Sequence, residues 1–119
     1  MHVVKSLGGV KVISIDKNKL LKELKKISKS IKKENKDVCN IRIFGSIAKE
    51  EEIGTSDLDI LIILKDTKEE MIKRCLKYRK YFNIPIAVDV LVFTKKEIKK
   101  MTEDGNFFVQ NILKESFPI

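Results

Sequence analysis

Two nearly unbroken apolar runs, residues 58–64 (Leu-Asp-Ile-Leu-Ile-Ile-Leu) and 86–93 (Ile-Ala-Val-Asp-Val-Leu-Val-Phe), constrain this chain more than any other feature. Such runs suit strands at the centre of a sheet covered on both faces. Residues 10–15 alternate enough for another strand, and Asp16 stands where a helix N-cap belongs. Leu20, Leu24, Ile27 and Ile31 then recur at helical spacing with lysines on the other faces, which predicts an amphipathic helix over 17–34. Residues 40–44 read as a short strand, and Gly45-Ser46 as the turn into a short helical segment over 47–51. Thr67 with Glu70 forms a capping-box pattern, opening a helix to about 82 whose apolar face is Met71, Cys75, Tyr78 and Phe82. A lysine-rich helical turn follows residue 93, and a short helix is expected over 107–114. The alternation predicts a sheet with helices packed on it and leaves strand order open.

At 119 residues the chain has material for one core, so a single domain over 1–119 is expected. No apolar stretch approaches the ~18 residues needed to span a bilayer, and a cytoplasmic protein is expected. The formal charge is +8, but the lysines are interleaved with glutamates on helix faces, and aromatics are 7% and sit mostly at core-like spacing. No nucleic-acid partner is therefore expected. Cys39 and Cys75 lack any C-x-x-C spacing and read as reduced thiols. The single histidine, His2, falls at the start of the chain, where ends are commonly mobile, so histidine-dependent nucleophiles and multi-histidine zinc sites are excluded. Chemistry has to come from carboxylates, lysines and hydroxyls.

The two core-like strands carry acids where apolar residues belong. Asp57 and Asp59 enter one of them, and Asp89 lies in the middle of the other. Unpaired carboxylates there are costly. Asp57 and Asp59 share a face because strand side chains alternate, and if the Asp89 strand lies alongside, the three acids form a cluster that only cations relieve. Hard oxygen donors favour Mg²⁺ or Mn²⁺, which keep open positions for phosphate oxygens. An Asp-x-Asp pair alone is equally often a loop cap. Gly45 and Ser46 add weight, since a glycine at a strand-to-helix junction admits a ligand to the backbone and a helix start can hold phosphate. Lys49, one turn on, reads as solvated surface.

Gly45-Ser46-Ile47-Ala48-Lys49, then Ser56-Asp57-Leu58-Asp59, then Asp89 in a later strand, together resemble the nucleotidyltransferase superfamily that includes DNA polymerase beta. More closely the set is similar to the minimal nucleotidyltransferases, antitoxin partners of HEPN-domain toxins, over nearly the whole chain. The resemblance implies an α/β (α+β) nucleotidyltransferase fold with a mixed β-sheet flanked by helices. It implies that Gly45 and Ser46, with Ser56, contact the triphosphate of ATP, and that Asp57 and Asp59 ligate metal. Asp89 would be the third carboxylate, ligating metal or helping to deprotonate the attacking hydroxyl. The acceptor it implies is a tyrosine of the HEPN toxin, blocked by adenylylation. A partner chain would then complete the site in a homo- or hetero-oligomer. Two positions depart from the family pattern: Ile47 stands where a basic residue is frequent, and Glu50, first of the run Glu50-Glu51-Glu52, stands where glycine is common. With the metal-binding positions intact, that run reads as solvent-facing.

Two rivals remain. A catalytically inert antitoxin of the same fold would neutralise its partner by binding alone. A metal-dependent glycosyltransferase also uses Asp-x-Asp, but it needs a larger nucleotide-binding domain and gives Gly45-Ser46 no role.

Overall fold

The computed structural model describes residues 2–7, 10–15, 17–45, 58–84 and 86–119. The first two strands, β1 (His2–Leu7) and β2 (Val10–Ile15), pair antiparallel as a separate two-stranded sheet. β2 matches expectation, whereas β1 does not: His2 begins a strand. Two glycines stand between the paired Leu7 and Val10 in the sequence, which is the composition that two-residue hairpin loops favour. The expected Asp16 cap lies outside the described residues.

Helix α1 (Lys17–Glu34) has the predicted bounds, and Leu20, Leu24 and Ile31 on its apolar stripe are fully buried. The main sheet contains β3 (Val38–Phe44), β4 (Leu58–Leu64), β5 (Val88–Thr94) and β6 (Phe117–Pro118), in the order β5-β4-β3-β6. β4 and β5 run parallel while β3 is antiparallel to both β4 and β6, so the sheet is mixed. The parallel pair requires a crossover, and α2 (Met71–Arg79) supplies it.

Alternation divides the sheet cleanly. Ile41, Ile43, Leu58, Ile60, Ile62, Val90 and Val92 share one face and join α1, Tyr78 and Phe82 in the core. Each such side chain contributes roughly 1.5–3 kcal/mol. Leu61 points to the other face yet is only 1% exposed, so both faces are covered there, as the apolar run in β4 predicts. Between β5 and β6 lie α3 (Lys95–Glu103) and α4 (Phe107–Glu115), whose Val109 and Ile112 are buried. Just beyond α4, Ser116 Oγ accepts from Arg42 Nε at 2.6 Å and the Ser116 carbonyl accepts from Arg42 Nη2 at 2.9 Å, tying this segment to β3. No described helix is long and apolar enough to cross a membrane.

One local expectation fails. Thr67 and Glu70 do not form a capping box: Thr67 Oγ1 accepts from the Glu69 N–H, and Glu70 occupies the α2 N-cap without a side-chain bond. The helix also ends at Arg79, leaving Phe82 to enter the core from the turn beyond, while Met71 is exposed. A tertiary contact overrides the local signal. Arg74, 7% exposed, donates to the Glu69 carbonyl at 2.8 Å and to Glu97 Oε1 at 2.6 Å. Glu97 belongs to a true capping box with Thr94 at the start of α3, so one carboxylate joins β5, α3 and α2.

This junction makes a pH prediction. Burial acts to raise the Glu97 carboxyl, but bonds from Arg74 and the Thr94 backbone outweigh it and hold the group below its ordinary 4.5. A depressed carboxyl adds stability above its unfolded pKa, and that stability is lost as pH falls through the folded pKa. Wild type is therefore expected to lead Glu97→Gln in urea midpoint near neutral pH, with the gap closing below about pH 4. Arg74→Ala is expected to cost roughly 2 kcal/mol, less than a fully buried pair because Glu97 is partly exposed. A gap constant down to pH 3 would refute the ionic account.

Candidate functional site

The alternation that sends Leu58 and Ile60 into the core sends Asp59 to the opposite face. β5 behaves identically, with Val88 and Val90 buried and Asp89 exposed between them. In the parallel register Asp59 is the direct partner of Asp89. In-register residues of neighbouring strands point to the same face about 4.8 Å apart. The two acids are therefore brought together. The Leu58 N–H donates to the Ala87 carbonyl at 2.9 Å, which carries the ladder to the mouth of both strands where the acids emerge.

The third described component comes from β3. Phe44 is the antiparallel partner of Asp59, so the next residue, Gly45, turns away beside that carboxylate. Gly45 has φ +84°, in the left-handed region that glycine favours. A Cβ built on Gly45 would overlap Asp59 Oδ2 and lie 3.1 Å from Asp59 Cγ. Two requirements thus converge on a single glycine: the turn needs its backbone freedom, and the carboxylate occupies the space of a side chain.

Two carboxylates held in register, one exposed and one half-buried, are mutually repulsive unless positive charge lies between or above them. Their oxygens suit a hard divalent cation, and the donor chemistry fits Mg²⁺ or Mn²⁺. Among the described residues no group of three acids, histidines or cysteines forms a metal cluster. Asp57, Ser46 and Ser56 lie outside the described residues, as do Ile47, Lys49 and the Glu50–Glu52 run.

Sequence reasoning passed over Arg42. It alternates with the buried Ile41 and Ile43 and so shares the face of Asp59, two residues before Phe44 on β3. An arginine between two isoleucines in a strand was the available signal; that its partner is Ser116, far along the chain, was not legible.

Residues 24–118 match the family described as Nucleotidyltransferase domain. Two proteins of Methanocaldococcus jannaschii, each named "putative protein adenylyltransferase", are 35% identical over 75% of this chain and 94% of the relative, and 34% identical over 76% and 99%. A crystal structure described as "a putative nucleotidyltransferase" from Sulfolobus solfataricus superposes with a TM-score of 0.58 at 28% identity, covering 71% of this chain and 75% of that one.

Proposed function

Because the chain belongs to the nucleotidyltransferase domain family, we propose that it transfers AMP from ATP to a hydroxyl of a protein acceptor. The acceptor in this reading is a tyrosine of a HEPN-domain toxin, and the chain acts as the cytoplasmic antitoxin of that toxin. The names of the two archaeal relatives support a protein acceptor. The toxin is carried over from the resemblance to minimal nucleotidyltransferases. The observation on which the reaction rests is the register that pairs Asp59 with Asp89 beside Gly45.

We assign Asp59, with Asp57 two residues before it, and Asp89 as the ligands of a divalent cation. Bound Mg²⁺ or Mn²⁺ would offset the negative charge that accumulates as the hydroxyl attacks and pyrophosphate departs. The amide of Gly45 and the hydroxyls of Ser46 and Ser56 hold the triphosphate. The acceptor oxygen bonds to the α-phosphorus, the bond from that phosphorus to the pyrophosphate oxygen breaks, and Asp89, the exposed acid, takes the hydroxyl proton. The chain's contribution is mostly fixed charge and position.

Incubation with α-labelled ATP, Mg²⁺ and the product of the neighbouring gene tests the proposal. Label on a tyrosine of that protein is the expected result. Tight association without label would replace the enzyme by an inert binder of the same fold.

A further inference from the structure

The sheet face that carries the acids also carries, at the far end of β4, a cleft of about 380 Å³ lined by Cys39, Asn40, Ile63, Lys95, Ile98 and Lys99. Ile63 lies four residues beyond Asp59, or about 13 Å along the strand. The buried Leu61 stands between them, so the cleft is separate from the acidic site.

Its chemistry is specific. Lys95 and Lys99 are one turn apart on α3, with Ile98 on the same side of the helix and Ile63 across from it. Two ammonium groups thus flank an aliphatic floor. Neither lysine is ion-paired among the described residues, and both are exposed. Glu97, the acid in the first turn of α3, is taken up by Arg74 and the Thr94 N–H. Asp37, two residues before Cys39, turns its main-chain carbonyl toward Cys39 Sγ and the Lys65 N–H. The half-buried amide of Asn40 can donate and accept, as a main chain lying in the cleft requires. Among the described residues no aromatic side chain lines the cleft, so a nucleobase finds no stacking surface among them.

We propose that this cleft docks an acidic segment of the protein acceptor, in which an aliphatic side chain sits over Ile63 and Ile98 and flanking carboxylates meet Lys95 and Lys99. That the docked protein is a substrate rests on the adenylyl-transfer reading. The docking itself requires no nucleotide and is measured without one.

The probe is an acetylated, amidated peptide, Asp-Glu-Leu-Glu-Glu, compared with its Asn/Gln counterpart, on the full chain. Cys39, exposed in the cleft, is alkylated with uncharged iodoacetamide and followed by mass spectrometry, with the half-buried Cys75 as internal reference. The acidic peptide is expected to slow alkylation at Cys39 and not at Cys75, and the neutral peptide to leave both unchanged. In Lys95→Ala/Lys99→Ala the concentration giving half protection should rise about tenfold, as two exposed charge contacts predict. Absence of protection up to about 10 mM peptide, or equal protection in the double variant, would overturn the proposal. Protection retained in a protein that transfers no label would uphold the docking and remove the reaction; label transfer without protection would do the reverse.

Discussion

Asp59→Asn is expected to lose nucleotidyl transfer by at least about a thousandfold while its urea midpoint stays at or above that of wild type. The two halves of this result have one cause. Asp59 faces Asp89 across adjacent strands, so folding holds two negative charges in register. A catalytic cation uses that field. Asparagine keeps the shape beside Gly45 and removes the charge, so the field disappears and packing remains. Full activity in this variant would end the assignment of Asp59. A large fall in stability would show that the carboxylate is primarily a structural group.

Gly45→Ala is expected to impair both folding and transfer, for separable reasons. At φ +84° any L side chain costs roughly 1–2 kcal/mol. The new Cβ would also occupy the position of Asp59 Oδ2, forcing the carboxylate to move. A displacement on the order of 1 Å in a reacting group can lower the rate about a hundredfold. Gly105 provides the control. Its φ is +77°, but an added Cβ there would meet nothing within 4 Å, so Gly105→Ala should lose stability alone. Equal rate losses in the two variants, after correction for folded fraction, would show that proximity to Asp59 is irrelevant.

What the sequence disclosed follows from the range of the forces involved. α1 and β4 were legible to the residue, because each is specified by its own apolar pattern against lysines or turns. The Thr67–Glu70 signal misled because Arg74 finds its partners on β5 and α3, beyond the reach of any local rule. β6 was missed because Phe117 and Pro118 form a strand only by pairing with Ile43 and Arg42. The two acids were conspicuous as charges in apolar runs, yet their meeting depended on strand order, which only the assembled sheet defines. Asp57, Ser46 and Ser56, equally conspicuous in sequence, lie outside the described residues.

The parallel ladder between β4 and β5 also limits how this gene can change. Inserting or deleting one residue inside either strand would reverse the facing of every residue on one side of the change, sending either its acid toward the hydrophobic interior or its core residues to the opposite face, because the pleat has a period of two. Length variation in descendants of this chain should accumulate in the connections, leaving the spacing within 58–64 and 88–94 untouched.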